Sequence, residues 1–314
     1  MATSLTKKGL LAAADKVIVA ARPALEIVSQ FTTDFSDEFV KPGTGIAVDV
    51  MAAAAQTFTK GTYDYGTPTG GTIKPIVIPT DIRKISNFSL DDLDALEDET
   101  AHLWDKFAPV AGRAIAVELV KSVTAKLAYS AATAQVTLGG STLADFFALR
   151  AYVEGTAKID PSTCVLLLAP TMYSTLCSVL NAGIVGDGSV VRGANIGQAL
   201  GFKAVYSAPT APVQSGTSEG AAVNKGVGFI VPENAIAVVN RVVKPIKGNV
   251  GGLIEFGTHT DEVSGVTLSH RVVYNASTGE CFWTAEGLFG SKLTKLDASG
   301  NATGAPGFYQ IVTA

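Results

Sequence analysis

At 314 residues, 47% hydrophobic and only 17% charged, the chain is long enough for about two domains and a sizeable core, yet short of the charge a lone soluble monomer usually displays. A net charge of −4, a pI near 5.5 and no run of Lys or Arg beyond Lys7-Lys8 argue against a dedicated nucleic-acid binder, which carries a basic patch or tail. Two readings fit this composition equally: a subunit that hides surface against copies of itself, and an Ala- and Gly-rich enzyme.

Lys7-Lys8 followed by Gly9 to Ala14 has the outline of a secretory signal, but Asp15 and Lys16 break its apolar stretch, and no secretion is expected. No apolar run approaches the roughly 18 residues that span a membrane. Cys164, Cys177 and Cys281 lie far apart without a CxxC, which predicts reduced, buried thiols in a cytosolic setting. The sequons at Asn275 and Asn301 carry no meaning in such a setting.

Residues 5–22 predict a short amphipathic helix with Leu10, Leu11, Ala14, Val17, Ile18 and Ala21 on one side, interrupted at Pro23. Phe31, Phe35 and Phe39 follow at four-residue steps among acids. This region has aromatics to bury but no core of its own, so it must lie on another part of the molecule or on a neighbour. From residue 43 the pattern changes. Ile46, Val48 and Val50 alternate as in a strand, and a return run from Ile73 to Ile85 contains Pro75 and Pro79, which place it at an edge. Between them Gly61 to Gly71 forms a turn-rich tip, so 43–88 reads as a long hairpin.

Ser89 to Tyr129 predicts one long helix. Ser89 stands as N-cap, and Asp91, Asp92, Asp94, Glu97, Asp98 and Glu99 crowd the end that the helix dipole favours for acids. Leu103, Trp104, Phe107, Val110, Ala111, Ala114, Ile115, Val120, Val123 and Leu127 give it an apolar face, and Pro109 predicts a kink. Some 40 residues at about 1.5 Å each would span about 60 Å.

Ala131 to Gly140 reads as a linker, and Ser141 to Tyr152 as a helix. Cys164 to Ala169 is a continuous apolar run, as in a strand covered on both faces. A helix from Pro170 to Leu180, a glycine-rich loop and strands at 203–207 and 227–231 complete a compact α/β unit over 140–245. The last section is β-rich: Val266, Leu268, His270, Val272 and Tyr274 alternate with polar residues, and Glu280 to Leu288 returns after a turn.

Gly216-Thr217-Ser218-Glu219-Gly220 matches the G-x-S-x-G nucleophile elbow, with His259, Asp261 and His270 as conceivable partners. That chemistry needs a strand running into the serine, and here a polar loop precedes it. His270 falls on the apolar side of its strand and reads as a packed, hydrogen-bonded histidine. His259-Thr260-Asp261 offers two metal donors without a third. Gly186-Asp187-Gly188 and Gly193 to Gly201 lack phosphate-loop spacing, and the acids at 91–99 read as a solvated helix end. No catalytic, cofactor-binding or metal site is expected, nor any enzymatic activity.

The order of parts and several local stretches resemble the major capsid proteins of tailed bacteriophages, with the Hong Kong 97-type α+β fold. Ile82 to Leu93 (IRKISNFSLDDL) is similar to that family's lead-in to its spine helix. Thr163 to Leu180 (TCVLLLAPTMYSTLCSVL), then Ile196 to Val205 (IGQALGFKAV) and Gly228 to Val238, resemble its axial domain. The resemblance implies an N-terminal arm at 1–42, an extended loop at 43–88, a peripheral domain from 89–131 and 246–314, and an axial domain at 132–245. It further implies self-assembly as hexamers and pentamers into an icosahedral virion shell around double-stranded DNA, with synthesis in the host cytoplasm. Scaffolding, portal and possible decoration proteins would be its partners, contact with packaged DNA would be loose, and no membrane would be involved. Some relatives cross-link through a lysine and an asparagine; Lys60 has a suitable position, but nothing identifies its partner, so no cross-link is expected. Two alternatives stay open: an encapsulin-type compartment shell of the same fold, and a hydrolase or ligand-binding domain over 140–245.

Overall fold

The computed structural model describes residues 7–52, 72–91, 100–127, 132–183, 196, 200–207, 226–243, 253–295 and 307–313. The hairpin tip at 61–71, Lys60, the acids from Asp92 to Glu99, Gly186 to Gly188, Ser218 and Asn301 lie outside these residues. The first half contains helix α1 (Lys7–Ser29), strands β1 (Thr32–Val40), β2 (Gly45–Ala52), β3 (Thr72–Pro79) and β4 (Ile82–Asp91), helix α2 (Thr100–Thr124), strand β5 (Ala134–Leu138) and helix α3 (Leu143–Tyr152). Strand β6 (Cys164–Leu168), helix α4 (Pro170–Gly183), and strands β7 (Ala204–Ser207), β8 (Gly226–Pro232) and β9 (Ile236–Val243) follow. The chain ends with β10 (Leu253–Thr260), β11 (Thr267–Asn275), β12 (Glu280–Leu293) and β13 (Tyr309–Thr313).

The strands form three sheets. One has the order β1-β9-β12-β11-β10 with β4 also on β12, a second has β5-β13-β8-β6-β7, and β2-β3 stand as a pair. β12 is the axis of the first sheet. Its residues 280–286 pair with both β11 and β4, and Leu288 and Phe289 pair with both β4 and β9. β11 and β9 therefore lie end to end along one edge of β12, with β4 along the other. Two strands meeting end to end would leave backbone groups unpaired, at the usual cost of a buried unmade hydrogen bond. The buried Asn240 fills this gap. Its amide nitrogen donates to the carbonyls of Thr267 (3.1 Å) and Leu288 (3.2 Å), and its oxygen accepts from the Thr267 N–H at 2.6 Å.

Helices α1 and α2 cover one face of this sheet. Val17, Ile18, Ala21, Leu25 and Val28 of α1 pack with Ala108, Ala111, Ile115, Leu119 and Val123 of α2 over Leu268, Trp283, Ala285 and Phe289. The two backbones approach so closely that a Cβ at Gly112 would collide with the Val17 carbonyl. The same core takes Val165 and Leu167 of β6, while Leu166 and Leu168 enter a second core with Phe146, Leu149, Leu176 and Leu200. β6 is thus buried on both faces, as its unbroken apolar run predicts.

Several expectations need correction. α1 runs through Pro23 to Ser29, because its buried stripe keeps one helical phase across the proline and that burial outweighs one lost main-chain bond. Phe35 and Phe39 sit on β1, parallel to β9. Ser89 caps no helix: it lies in β4 opposite Phe282, and α2 begins at Thr100. Its 25 residues span about 37 Å, well short of the expected length. Phe107, Val110 and Ala114, assigned above to the apolar face, point outward, because α1 and the sheet occupy the opposite side. The expected linker at 131–140 contains β5, held by parallel pairing with β13. The sheets also cross the expected boundary at 245/246: β9 lies in the first sheet and β13 in the second. All three cysteines are free, but only Cys164 is fully buried.

Asn240→Leu keeps the volume of the side chain but strands the Thr267 amide and two carbonyls. It should lower stability by about 3 kcal/mol, read as a fall in the urea midpoint with unchanged m.

Candidate assembly surfaces

The pair β2–β3 stands apart from both larger sheets and is built by alternation. Val48, Val50, Ile76 and Ile78 turn inward onto Ala237 and Val239 of β9. The other face is largely apolar and faces solvent: Ile73 is 62% exposed and Val77 43%, beside Ala47, Pro75 and Pro79, with the carboxylate of Asp49 opposite Pro75. The edge is treated differently from the face. The Val77 carbonyl points away from β2 and accepts the Lys292 ammonium at 3.4 Å. Pro75 and Pro79, two residues to either side, share that edge, so their missing N–H groups fall where β2 makes no demand. The prolines also deny a donor to any strand that would add there. The hairpin therefore offers a face for docking and withholds part of its edge.

A second apolar strip runs along α2, where Phe107 (42% exposed), Val110 (66%) and Ala114 recur at helical spacing on the solvent side. The sheet face opposite the helices is mixed. Buried Glu286 forms ion pairs with Arg83 on β4 and with Arg271 on β11, the latter at 3.0 Å. The Arg271 guanidinium in turn lies 5.7 Å above the ring of Phe256, which meets Phe39 at 6.0 Å. Glu286 was not singled out from the sequence. A carboxylate flanked by Ala285 and Gly287 in an apolar strand was the available signal.

The residues weighed above for catalysis are partly brought together. His259 and His270 face each other at 5.2 Å between ring centres, and His270 stacks on Trp283 at 6.5 Å. Neither histidine engages Asp261. His259 Nδ1 instead lies 3.2 Å from the Asp15 carboxylate on α1. Asp261 is buried at the β10–β11 turn, where it accepts from Arg22 Nη2 (2.7 Å) and Nε (3.1 Å) and from the amide (2.9 Å) and hydroxyl (2.7 Å) of Ser264. Burial pushes the Asp261 carboxyl up, but the Arg22 and Ser264 hydrogen bonds outweigh it and hold the group below its ordinary range. Burial pushes the His270 imidazole down to about 4, and neighbouring His259 acts in the same direction. This is a clip that fastens α1 to the sheet, and nothing in it forms a nucleophile–base pair. Among the described residues no group of three or more His, Cys, Asp or Glu could hold a metal ion, and no helix is long and apolar enough to cross a membrane.

No family model matches the sequence. No curated protein matches it either. Solved structures do match. The capsid structure of the cyanophage P-SCSP1u aligns over 92% of this chain and 88% of that one, with 14% identity and a TM-score of 0.51. A structure from Microbacterium phage Oxtober96 aligns over 91% and 90%, with 12% identity and a TM-score of 0.50. A virus-like particle from Pyrococcus furiosus aligns over 95% and 98% at 9% identity, but its TM-score of 0.46 is too low to bear on the fold. At these identities the likeness concerns the fold alone: this is a mixed α+β chain with the fold of a phage capsid structure.

Asp261→Asn should cost about 1–3 kcal/mol at pH 7. Because the carboxyl is held low, its contribution is complete at neutral pH and is lost as pH falls below about 3.9. Urea unfolding at pH 7 and pH 3 should therefore show the gap between wild type and variant narrowing in acid.

Proposed function

We propose that this chain is the major capsid protein of a tailed bacteriophage, of the Hong Kong 97 type, and that its copies close an icosahedral shell around double-stranded DNA. The observation that carries the proposal is the hairpin β2–β3. An isolated strand pair is marginal alone, and this one keeps Ile73 and Val77 exposed on the face turned from its own subunit. A whole-chain likeness to a cyanophage capsid structure supports the same reading. Residues 1–42 then serve as the arm, 43–88 as the extended loop, 89–131 with 246–314 as the peripheral domain, and 132–245 as the axial domain. Within that scheme β9 joins the peripheral sheet and β13 the axial one.

Copies meet as pentamers and hexamers, with the hairpin face and the Phe107–Val110–Ala114 strip of α2 as contact surfaces. The low charged fraction of 17% suits a chain whose surface is largely covered in the assembly. The net charge of −4 suits loose contact with the packaged genome. Scaffolding and portal proteins are the further partners such a shell requires, and the virion is its location.

Purified protein should form closed particles in negative-stain images. Ile73→Asp combined with Val77→Asp should abolish them while moving subunit stability by less than about 0.5 kcal/mol, as expected for exposed positions. A wild-type chain that stays monomeric under every assembly condition would overturn the proposal. Particles enclosing protein cargo, with no nuclease-protected DNA after expression from the complete phage genome, would make it a compartment shell instead.

A further inference from the structure

The underside of α1 closes a small cavity, lined by Val17 and Ile18 from the helix and by His259, Leu268, His270 and Trp283 from the sheet. His270 is 2% exposed, and neither of its ring nitrogens has a hydrogen-bond partner among the described residues. It is wedged between His259 and Trp283, and its ring takes the space that a Cβ on Gly257 would need. A cation there would have no acceptor among the described side chains. The walls differ in how firmly they are held. β10, β11 and β12 are locked by their ladders, whereas α1 is held down by side chains alone.

α1 also has a built-in break. Pro23 provides no N–H for the carbonyl of Val19, so the helix is weakest one turn before it. Beyond the break, Leu25 and Val28 stay buried, and Arg22 beside it is tied to Asp261. Before it, Asp15 holds the helix to His259 from a largely exposed position.

We propose that α1 is an acid-released latch: a proton on His270 lifts the segment from Asp15 to Ala21 off the sheet, pivoting at Arg22 and Pro23, while both sheets stay folded. The groups facing His270 set the direction of the response. On β10 stand His259, which offers no negative charge, and Glu255, which lies opposite Val272 on the same face of the sheet. On α1 stand Asp15, which is engaged with His259, and Arg22, which is engaged with Asp261. On β12 the opposite residue is Ala285; Glu286, like Arg271, belongs to the other face of the sheet. Among the described side chains of these elements, no free carboxylate faces His270.

Docking favours the neutral imidazole, whose pKa is about 4 in place against 6.5 when exposed. Its stabilisation is therefore complete above pH 6.5 and is lost as pH falls from 6.5 towards 4. Between pH 7 and pH 4 the docked-to-lifted ratio should drop by roughly 120-fold.

The test is hydrogen exchange on the free full-length subunit, corrected for intrinsic exchange rates, from pH 7 to pH 4. Protection over 15–21 should fall steeply, while 24–29 and the β6 residues 164–168 keep theirs. His270→Phe, which fills the space without titrating, should keep 15–21 protected at pH 4. In the wild type the NMR titration of the His270 imidazole should share its midpoint with that release, a readout that does not depend on the variant folding. Flat protection over 15–21, simultaneous loss in all three segments, unchanged release in His270→Phe, or two separate midpoints would each overturn the proposal.

Discussion

Everything in the first sheet depends on β12 being paired along both edges from Glu280 to Glu286 and again at Leu288 and Phe289. One side is taken by β4, and the other is shared by β11 and β9 meeting end to end. Such a junction is a weak point in any sheet, because ladder bonds stop before one strand ends and resume only after the next begins. Asn240 carries the ladder across with three hydrogen bonds from one side chain. The consequence is topological. β11 arrives from the hairpin with β10, and β9 arrives directly from the second sheet through β8, so this amide links the start of β11 to β9 beside the ladders that hold each of them to β12. An apolar residue at this position could fill the volume but could not continue the ladder.

This also explains what the sequence could and could not disclose. Strands whose pattern is set by their own burial were legible: Cys164 to Leu168 as a two-faced run, and Val48 and Val50 by alternation. Elements fixed by a distant partner were not. β4 reads equally well as a helix lead-in, because Ser89 and the acids after it look like a cap; it becomes a strand only because β12, some two hundred residues later, supplies ten paired positions for Ile82 to Asp91. β5 has no local signal strong enough to separate it from a linker until β13 lies beside it. The buried clip shows the same limit. Position on an apolar strand marked His270 as packed, which its burial bears out, but the expected hydrogen bonds to its ring are absent among the described residues. The partner of Asp261 is 239 residues away, on a helix whose own pattern says nothing about a charge pair.

The outward surfaces follow another rule. On α2 the apolar residues exceed what one face can bury: α1 and the sheet take Ala108, Ala111 and Ile115, and Phe107 and Val110 are left outside. The same excess appears on β3, where both faces are apolar and only one is covered. Periodicity alone could not separate the covered stripe from the uncovered one, because both are apolar and both have the correct spacing. Exposed apolar residues at two separate elements sit on opposite kinds of support, a rigid helix and a marginal ribbon.

That difference has a physical consequence for any assembly. A contact on α2 is preorganised, since the helix is fixed by the core and binding there orders nothing new. A contact through the hairpin must also stabilise the hairpin, which rests on β9 through Val48, Val50, Ile76 and Ile78 and on β12 through the Lys292 bond to the Val77 carbonyl. Such a ribbon can settle at slightly different angles against its neighbours while the helix keeps its geometry. Prolines on its edge then remove part of the main-chain pairing that would fix those angles or lead to open-ended strand addition. A subunit that must repeat its contacts in more than one local setting needs this division: one surface that sets position, and another that adapts through side chains alone.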